Sequence, residues 1–253
     1  MADVDRSSPR ADIIEEARRV TAAAHEEGVA LKLTGGLGIY FHAPSAREPP
    51  LRREYQDLDF VSLSLHRAAV QAFLARMGYE PDTPFNTLQG LRCLRYWDPA
   101  HHRQVDIFLD QIRMCHTIDL RRRFHLPEGV LTPADLLLTK MQIVELNLKD
   151  LTDVVALLLD HPVGGEDGEE INATYIAGLL AQDWGFYRTW QLNLDRFRVA
   201  LAPLQVPTDA VRSRLAALWQ VIERHPKPVR WRLRARIGDR LRWYELPEPE
   251  EAG

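Results

Sequence analysis

The sequence predicts an α+β fold, a small sheet domain followed by a helical domain. Two patterns in the sequence point to it. Helix-like and strand-like apolar spacings alternate up to about residue 130. From residue 132 the spacing is helical almost throughout. Composition is compatible: 253 residues, 45% apolar and 27% charged, can bury a sizeable core without disulfides.

The elements follow in order. Residues 1–10 are polar, lack an apolar signal core and read as a disordered tail. Ser8 and Pro9 look like a helix cap and first turn, and Ile13, Ile14, Ala17, Val20 and Ala24 continue at helical spacing to Gly28. Residues 29–33 read as a short buried strand, broken by Thr34-Gly35-Gly36, with a short helix after it. Residues 43–51 hold three prolines and read as a loop. A strand over 57–63 and a helix over 67–77, stopped by Gly78, come next. The best later strands are 88–97 and 104–109, a candidate hairpin around Asp98-Pro99.

Thr132-Pro133-Ala134-Asp135 is a helix start, with a threonine cap, a proline in the first turn and an acid three residues on. Helical periodicity runs from there to about Leu159. Residues 162–170 read as a Gly/Glu-rich linker. The segment 171–243 reads as helices broken near Pro203 and Pro207 and near Pro226 and Pro228. The implied domains are 11–130 and 131–253.

Charge and cysteine content exclude several classes. A formal net charge of −4 demands neither nucleic acid nor a membrane. Two cysteines, Cys93 and Cys115, make neither a disulfide framework nor a four-thiolate zinc site. No apolar run is long enough to span a bilayer. The expectation is a cytoplasmic protein with no membrane partner.

Three acids carry the candidate chemistry. Asp57 and Asp59 stand at i and i+2 at the start of a predicted strand, so both carboxylates point one way. Such a pair repels unless a cation joins it, and Mg²⁺ favours hard oxygens completed by substrate phosphates. A second D-x-D, Asp3-Val4-Asp5, lies in the tail, so the pattern also arises without a site. Asp106 interrupts the apolar strand Val105, Ile107, Leu109 from the opposite face. Such an acid either pairs or binds metal, or the strand is an edge strand with the acid in water.

Two further features fit a phosphate ligand. Gly35 and Gly36 between strand and helix can bring backbone amides close to an anion, or simply make a turn. Lys140 has Leu136, Leu137, Ile143 and Val144 as its helical neighbours. A lysine in an apolar stripe snorkels, joins a buried salt bridge or reaches a buried anion.

Taken in order, these pieces resemble the nucleotidyltransferase superfamily, and more closely its AbiEii-type, toxin-like branch. The matching stretches are Leu33-Thr34-Gly35-Gly36, then Arg53 through Asp57-Leu58-Asp59-Phe60, then Val105-Asp106-Ile107-Phe108. Leu131 through Lys140 and Lys149-Asp150-Leu151-Thr152-Asp153-Val154 complete the set, which covers about residues 12–160. The resemblance implies a small mixed, palm-like sheet and a helical domain closing the cleft. It implies Mg²⁺, two ions, on Asp57, Asp59 and Asp106. It implies that Gly35, Gly36 and Lys140 hold the triphosphate of an NTP such as ATP, and that Arg53 contacts phosphate or braces the site. Asp150 or Asp153 matches a later acid that positions substrate. The acceptor would be a hydroxyl of tRNA, a protein or a small molecule, and an antitoxin-like protein is a possible partner. The alternative is a catalytically inactive relative that binds nucleotide, RNA or protein. Two departures stand out: the long proline segment before Arg53, able to reshape the pocket or form a flap, and Lys149 where relatives often carry arginine.

Other features have plainer readings. Six arginines between 230 and 242, with Trp231 and Trp243, suit RNA, or a solvated helix face balanced by Glu245, Glu248, Glu250 and Glu251. His101, His102, Cys115 and His116 match no zinc spacing. The Trp and Tyr residues of 184–190 read as core, not as a binding platform.

Overall fold

The computed structural model describes residues 8–126, 129–201 and 206–246, and of residues 198–200 the backbone alone. Most of the expected tail (residues 1–7, with Asp3 and Asp5) lies outside the described residues, as do Pro203, Glu248, Glu250 and Glu251. The architecture is α+β, and the chain divides into two compact units. The first holds residues up to Phe41, Glu54–Ile112 and Asp119–Leu131; the second holds His42–Arg53, Arg113–Ile118 and the chain from Thr132.

The first unit is built on a five-stranded mixed sheet. Its strands are β1 (Leu31–Leu33), β2 (Leu58–Ser62), β3 (Glu80–Pro81), β4 (Cys93–Asp98) and β5 (Arg103–Leu109), in the order β1-β2-β5-β4-β3. β2 and β5 run parallel, and the other neighbours run antiparallel. The helices are α1 (Ile13–Glu26), α2 (Gly35–His42), α3 (Arg67–Arg76) and α4 (Thr83–Gln89). Alternation along the strands sends Leu58, Phe60, Leu94, Tyr96, Val105 and Ile107 to one face. There they share one core with Ala17, Val20 and Ala24 of α1 and Val70, Phe73 and Leu74 of α3. Each large side chain so buried stabilises the fold by about 1.5–3 kcal/mol.

Several boundaries differ from the sequence expectation for local reasons. α1 begins at Ile13, not beside Ser8, because Asp12 is the cap: its Oδ1 accepts from the N–H groups of Ile14 and Glu15 at 2.8 and 2.9 Å. The expected strand 88–97 shortens to β4. Asp82 caps α4 by accepting from the Phe85 N–H at 3.0 Å, with Pro84 in the first turn, and Leu88 is 82% exposed. Apolar residues there were not a buried strand. The β4–β5 hairpin forms as expected, closed by Asp98, whose Oδ1 accepts from the Ala100 N–H at 3.0 Å.

The second unit is mainly helical: α5 (Pro133–Met141), α6 (Leu148–Asp160), α7 (Ala173–Leu180), α8 (Trp184–Ala200), α9 (Thr208–Arg224) and α10 (Val229–Ile237). Thr132 caps α5 as expected. The continuous helix expected to Leu159 is broken instead. Asn193 Nδ2 donates to the carbonyls of Met141 and Ile143 at 3.1 and 2.9 Å, closing α5. Asn147 and Asp150 then form a capping box that starts α6. The linker contributes a short parallel pair, Val163–Gly164 with Ile171–Asn172. The proline segment is not a loose flap. Ser45 donates from N and Oγ to the Asp160 carboxylate, each at 2.7 Å, and Ala43, Ala46 and Leu51 are buried. Among the described residues, no helix is long and apolar enough to cross a membrane.

Candidate active site

The face of the sheet opposite the core carries the candidate site. In the parallel pairing of β2 with β5, Asp59 is the direct partner of Asp106. In the antiparallel pairing of β5 with β4, Asp106 is the direct partner of Arg95. Directly paired residues project to the same face, so Asp59, Asp106 and Arg95 form one row across three strands. Asp59 is half-buried and Asp106 is 9% exposed. Asp106 therefore lies in an interior strand, not the edge strand weighed from sequence.

Two like charges side by side need compensation. Arg95 supplies it to Asp106 in a bidentate pair, Nε to Oδ1 at 2.9 Å and a terminal guanidinium nitrogen to Oδ2 at 3.0 Å. Gln104 Nε2 also donates to Asp106 Oδ2, at 3.0 Å. The hydrogen bond to Asp106 lifts the Arg95 pKa above its usual value, so the guanidinium stays charged. Cys93 lies on the same face. Burial first, and then the charge of Asp106, pushes its thiol pKa up, with a smaller push from Asp59. It is thus held as a thiol, unsuited to nucleophilic or metal work.

The glycine turn closes against this row. Gly35 opens α2 with φ +63°, a left-handed conformation that favours glycine. A Cβ on Gly35 would stand 3.0 Å from both Cβ and Cγ of Asp59. The Thr34 N–H donates to the Asp59 carbonyl at 2.9 Å. Thr34 is 2% exposed, yet its hydroxyl has no hydrogen-bond partner among the described residues. A buried orphan hydroxyl beside a glycine-only backbone is what a small polar ligand would satisfy. Gly36 follows within α2.

Asp57, expected to open the strand over 57–63, is exposed and lies one residue before the observed β2. Among the described residues, no group of three or more His, Cys, Asp and Glu side chains is arranged to hold a metal ion. The three acids therefore do not make a ready-built cage. Mg²⁺ does not require one, because one or two carboxylates plus substrate phosphates and water complete its shell. Asp57 and Asp59 supply carboxylate oxygens of that kind, and both oxygens of Asp106 accept hydrogen bonds from Arg95 and Gln104.

Lys140, Arg53, Asp150 and Asp153 come together within the second unit. Lys140 Nζ lies 3.0 Å from Asp150 Oδ1 and 3.0 Å from Asp153 Oδ2. Arg53 grips Asp153 with two hydrogen bonds of 2.9 and 2.8 Å. Burial alone would lower the Lys140 pKa, but the charges of Asp153 and Asp150 outweigh it and raise the value. Of the alternatives for Lys140, a buried ion pair is the one present. Asp150 also serves the α6 capping box, while Asp153 is the carboxylate shared by both cations.

The remaining candidates are occupied structurally. His101 bonds Asp98, and Cys115 accepts from the Val144 N–H. His116 Nε2 lies 2.8 Å from Thr189 Oγ1, and its ring stacks on Phe186 at 4.8 Å. Trp231 and Trp243 spend their ring N–H groups on the Leu180 carbonyl and Thr189. Arg234 lies over Trp184 at 4.4 Å. Trp184 and Trp190 are buried, as expected, whereas Tyr187 is half-buried.

Sequence reading missed Arg95 and the unpartnered Thr34 hydroxyl. A hairpin closed with Asp98 opposite Arg103 places Arg95 opposite Asp106, so the signal for Arg95 was present once the turn was fixed. No family model matches the chain, and no curated protein matches it at a significant level.

Proposed function

We propose that this protein is a Mg²⁺-dependent nucleotidyltransferase that moves an NMP from an NTP to a hydroxyl acceptor. The observation that carries the reading is the juxtaposition of Asp59 with Asp106 on the sheet face where the Gly35 turn meets Asp59. Asp57 and Asp59 are the assigned metal ligands, with Asp106 as the third carboxylate. When bound, Mg²⁺ supplies Lewis-acid charge for the reacting phosphate. The acceptor oxygen forms a bond to the α-phosphorus, and the bond to the β-phosphate oxygen breaks. Pyrophosphate leaves with the electron pair, and the acceptor proton passes to a base, a role proposed for Asp106 if the acceptor displaces part of its pairing with Arg95. The Thr34 hydroxyl and the backbone at Gly35 and Gly36 would orient the triphosphate. The nucleotide-binding role implied for Arg53, Lys140, Asp150 and Asp153 stays part of the proposal; Asp153, which pairs with both Arg53 and Lys140, is the proposed brace. The acceptor is a hydroxyl of tRNA, a protein or a small molecule, and an antitoxin-like partner belongs to the same reading.

A second reading has its own observation in support. Asp106 is paired with Arg95, and Lys140 is paired with Asp150 and Asp153. A chain neutralised in this way suits a non-catalytic protein that keeps the fold and binds nucleotide, RNA or a protein.

Incubation with each α-labelled NTP, Mg²⁺ and a pool of RNA and lysate separates the two. Label on an acceptor that disappears in Asp59→Ala supports transfer. Nucleotide binding without pyrophosphate release supports the second reading.

A further inference from the structure

Resting on the nucleotidyl-transfer reading, we infer that the Arg95 guanidinium takes the place of a second metal ion, leaving a one-metal site. Two-metal phosphoryl-transfer sites hold two cations about 3.5–4 Å apart on shared carboxylates, so that attacking and leaving oxygens are both stabilised. Here the row Asp59–Asp106 ends on Arg95.

The guanidinium is built in. Its side chain is 22% exposed and lies over the Phe85 ring, 4.1 Å from the centroid. Asn86 fixes the backbone of the same residue from both sides: its Oδ1 accepts from the Arg95 N–H at 2.7 Å, and its Nδ2 donates to the Arg95 carbonyl at 2.8 Å. Phe85 and Asn86 both belong to α4, the helix that Asp82 starts. The sequence thus spends one short helix on holding one arginine against Asp106.

The pairing also decides what Asp106 can offer. Both of its oxygens accept from Arg95, and Oδ2 accepts from Gln104 as well. An ion that chelated Asp106 with both oxygens would have to break two charge-assisted bonds and strand a guanidinium at the sheet face. The charge a second ion would bring is already there. An arginine carries five N–H donors, and the pair with Asp106 uses two of its nitrogens, so donors remain for a phosphate oxygen.

The test counts ions. Mn²⁺ binding is followed by electron paramagnetic resonance with the full chain and a non-hydrolysable NTP analogue. The wild-type protein should bind one Mn²⁺ per protein–nucleotide complex in total, the ion shared by the carboxylates and the triphosphate. Arg95→Met and Arg95→Gln, checked for folding by circular dichroism, should bind two, and Arg95→Lys should bind one. Two ions on the wild-type protein overturn the inference and leave the transferase reading standing. One ion on both neutral variants overturns it equally. No protein-bound ion at all, with no change in Asp59→Asn, removes the metal reading together with the inference.

Discussion

Gly35 and Asp59 define each other's positions. The glycine sits at φ +63°, and any Cβ there would come 3.0 Å from two atoms of the aspartate side chain. The backbone thus approaches a carboxylate as closely as chemistry allows, at the start of α2.

Gly35→Ala should therefore destabilise the chain by about 1–3 kcal/mol from left-handed strain alone, and further through collision with Asp59. Urea unfolding midpoints measure it. The double variant with Asp59→Ala should recover the part of the collision made by the carboxyl group, but neither the contact with Cβ nor the strain, giving a non-additive cycle. Additive losses would mean that the two side chains do not compete for space.

Asp153 should matter more to stability than Lys140. Asp153 is 1% exposed and holds both Arg53 and Lys140. Removing it in Asp153→Ala leaves two half-buried cations without their shared carboxylate, with Lys140 still paired to Asp150, a loss of about 3 kcal/mol. Lys140→Met leaves Asp153 with Arg53, and Asp150 with the Asn147 N–H, so it should cost less. Equal losses in chemical denaturation would contradict the shared-carboxylate arrangement.

His116 should make stability fall in acid. Burial pulls its pKa down from 6.5 to about 4, against a weaker upward pull from Asp183 at 3.9 Å. Trp243 donates to Thr189 Oγ1, which leaves the Thr189 hydroxyl proton for the neutral His116 nitrogen. The unfolded chain then binds a proton that the folded chain refuses. The contribution is complete above pH 6.5 and is lost as pH falls through about 4. In melts from pH 7.5 to 4, His116→Gln should flatten this part of the curve. A curve of unchanged shape would show that the group is not responsible.

The large elements were legible because their signals are local. Thr132-Pro133 started α5 as read, and alternation in 105–109 put Asp106 opposite the core. What escaped depended on partners far along the chain. Nothing near Ile143 announces that Asn193 will close α5 fifty residues away. Leu88 and Leu91 look like strand residues until Asp82 caps a helix that leaves both exposed. At the candidate site, the acids were found by pattern, but Arg95 was not, because its meaning appears only in the register of β4 against β5. Likewise Lys140 gave the right problem, an ammonium among apolar neighbours, and two acids of α6 supply its counter-charges.

The most direct test is the rate of pyrophosphate release from an NTP with Mg²⁺ and an acceptor pool, for the wild-type chain and for Asp59→Asn at matched thermal stability. The account predicts release coupled to NMP transfer, and a fall on the order of 10²-fold or more once Asp59 can no longer carry its charge to the ion. Equal rates in the two proteins, or no release from either with any NTP, would contradict the assignment of the Asp59–Asp106 row to nucleotidyl transfer.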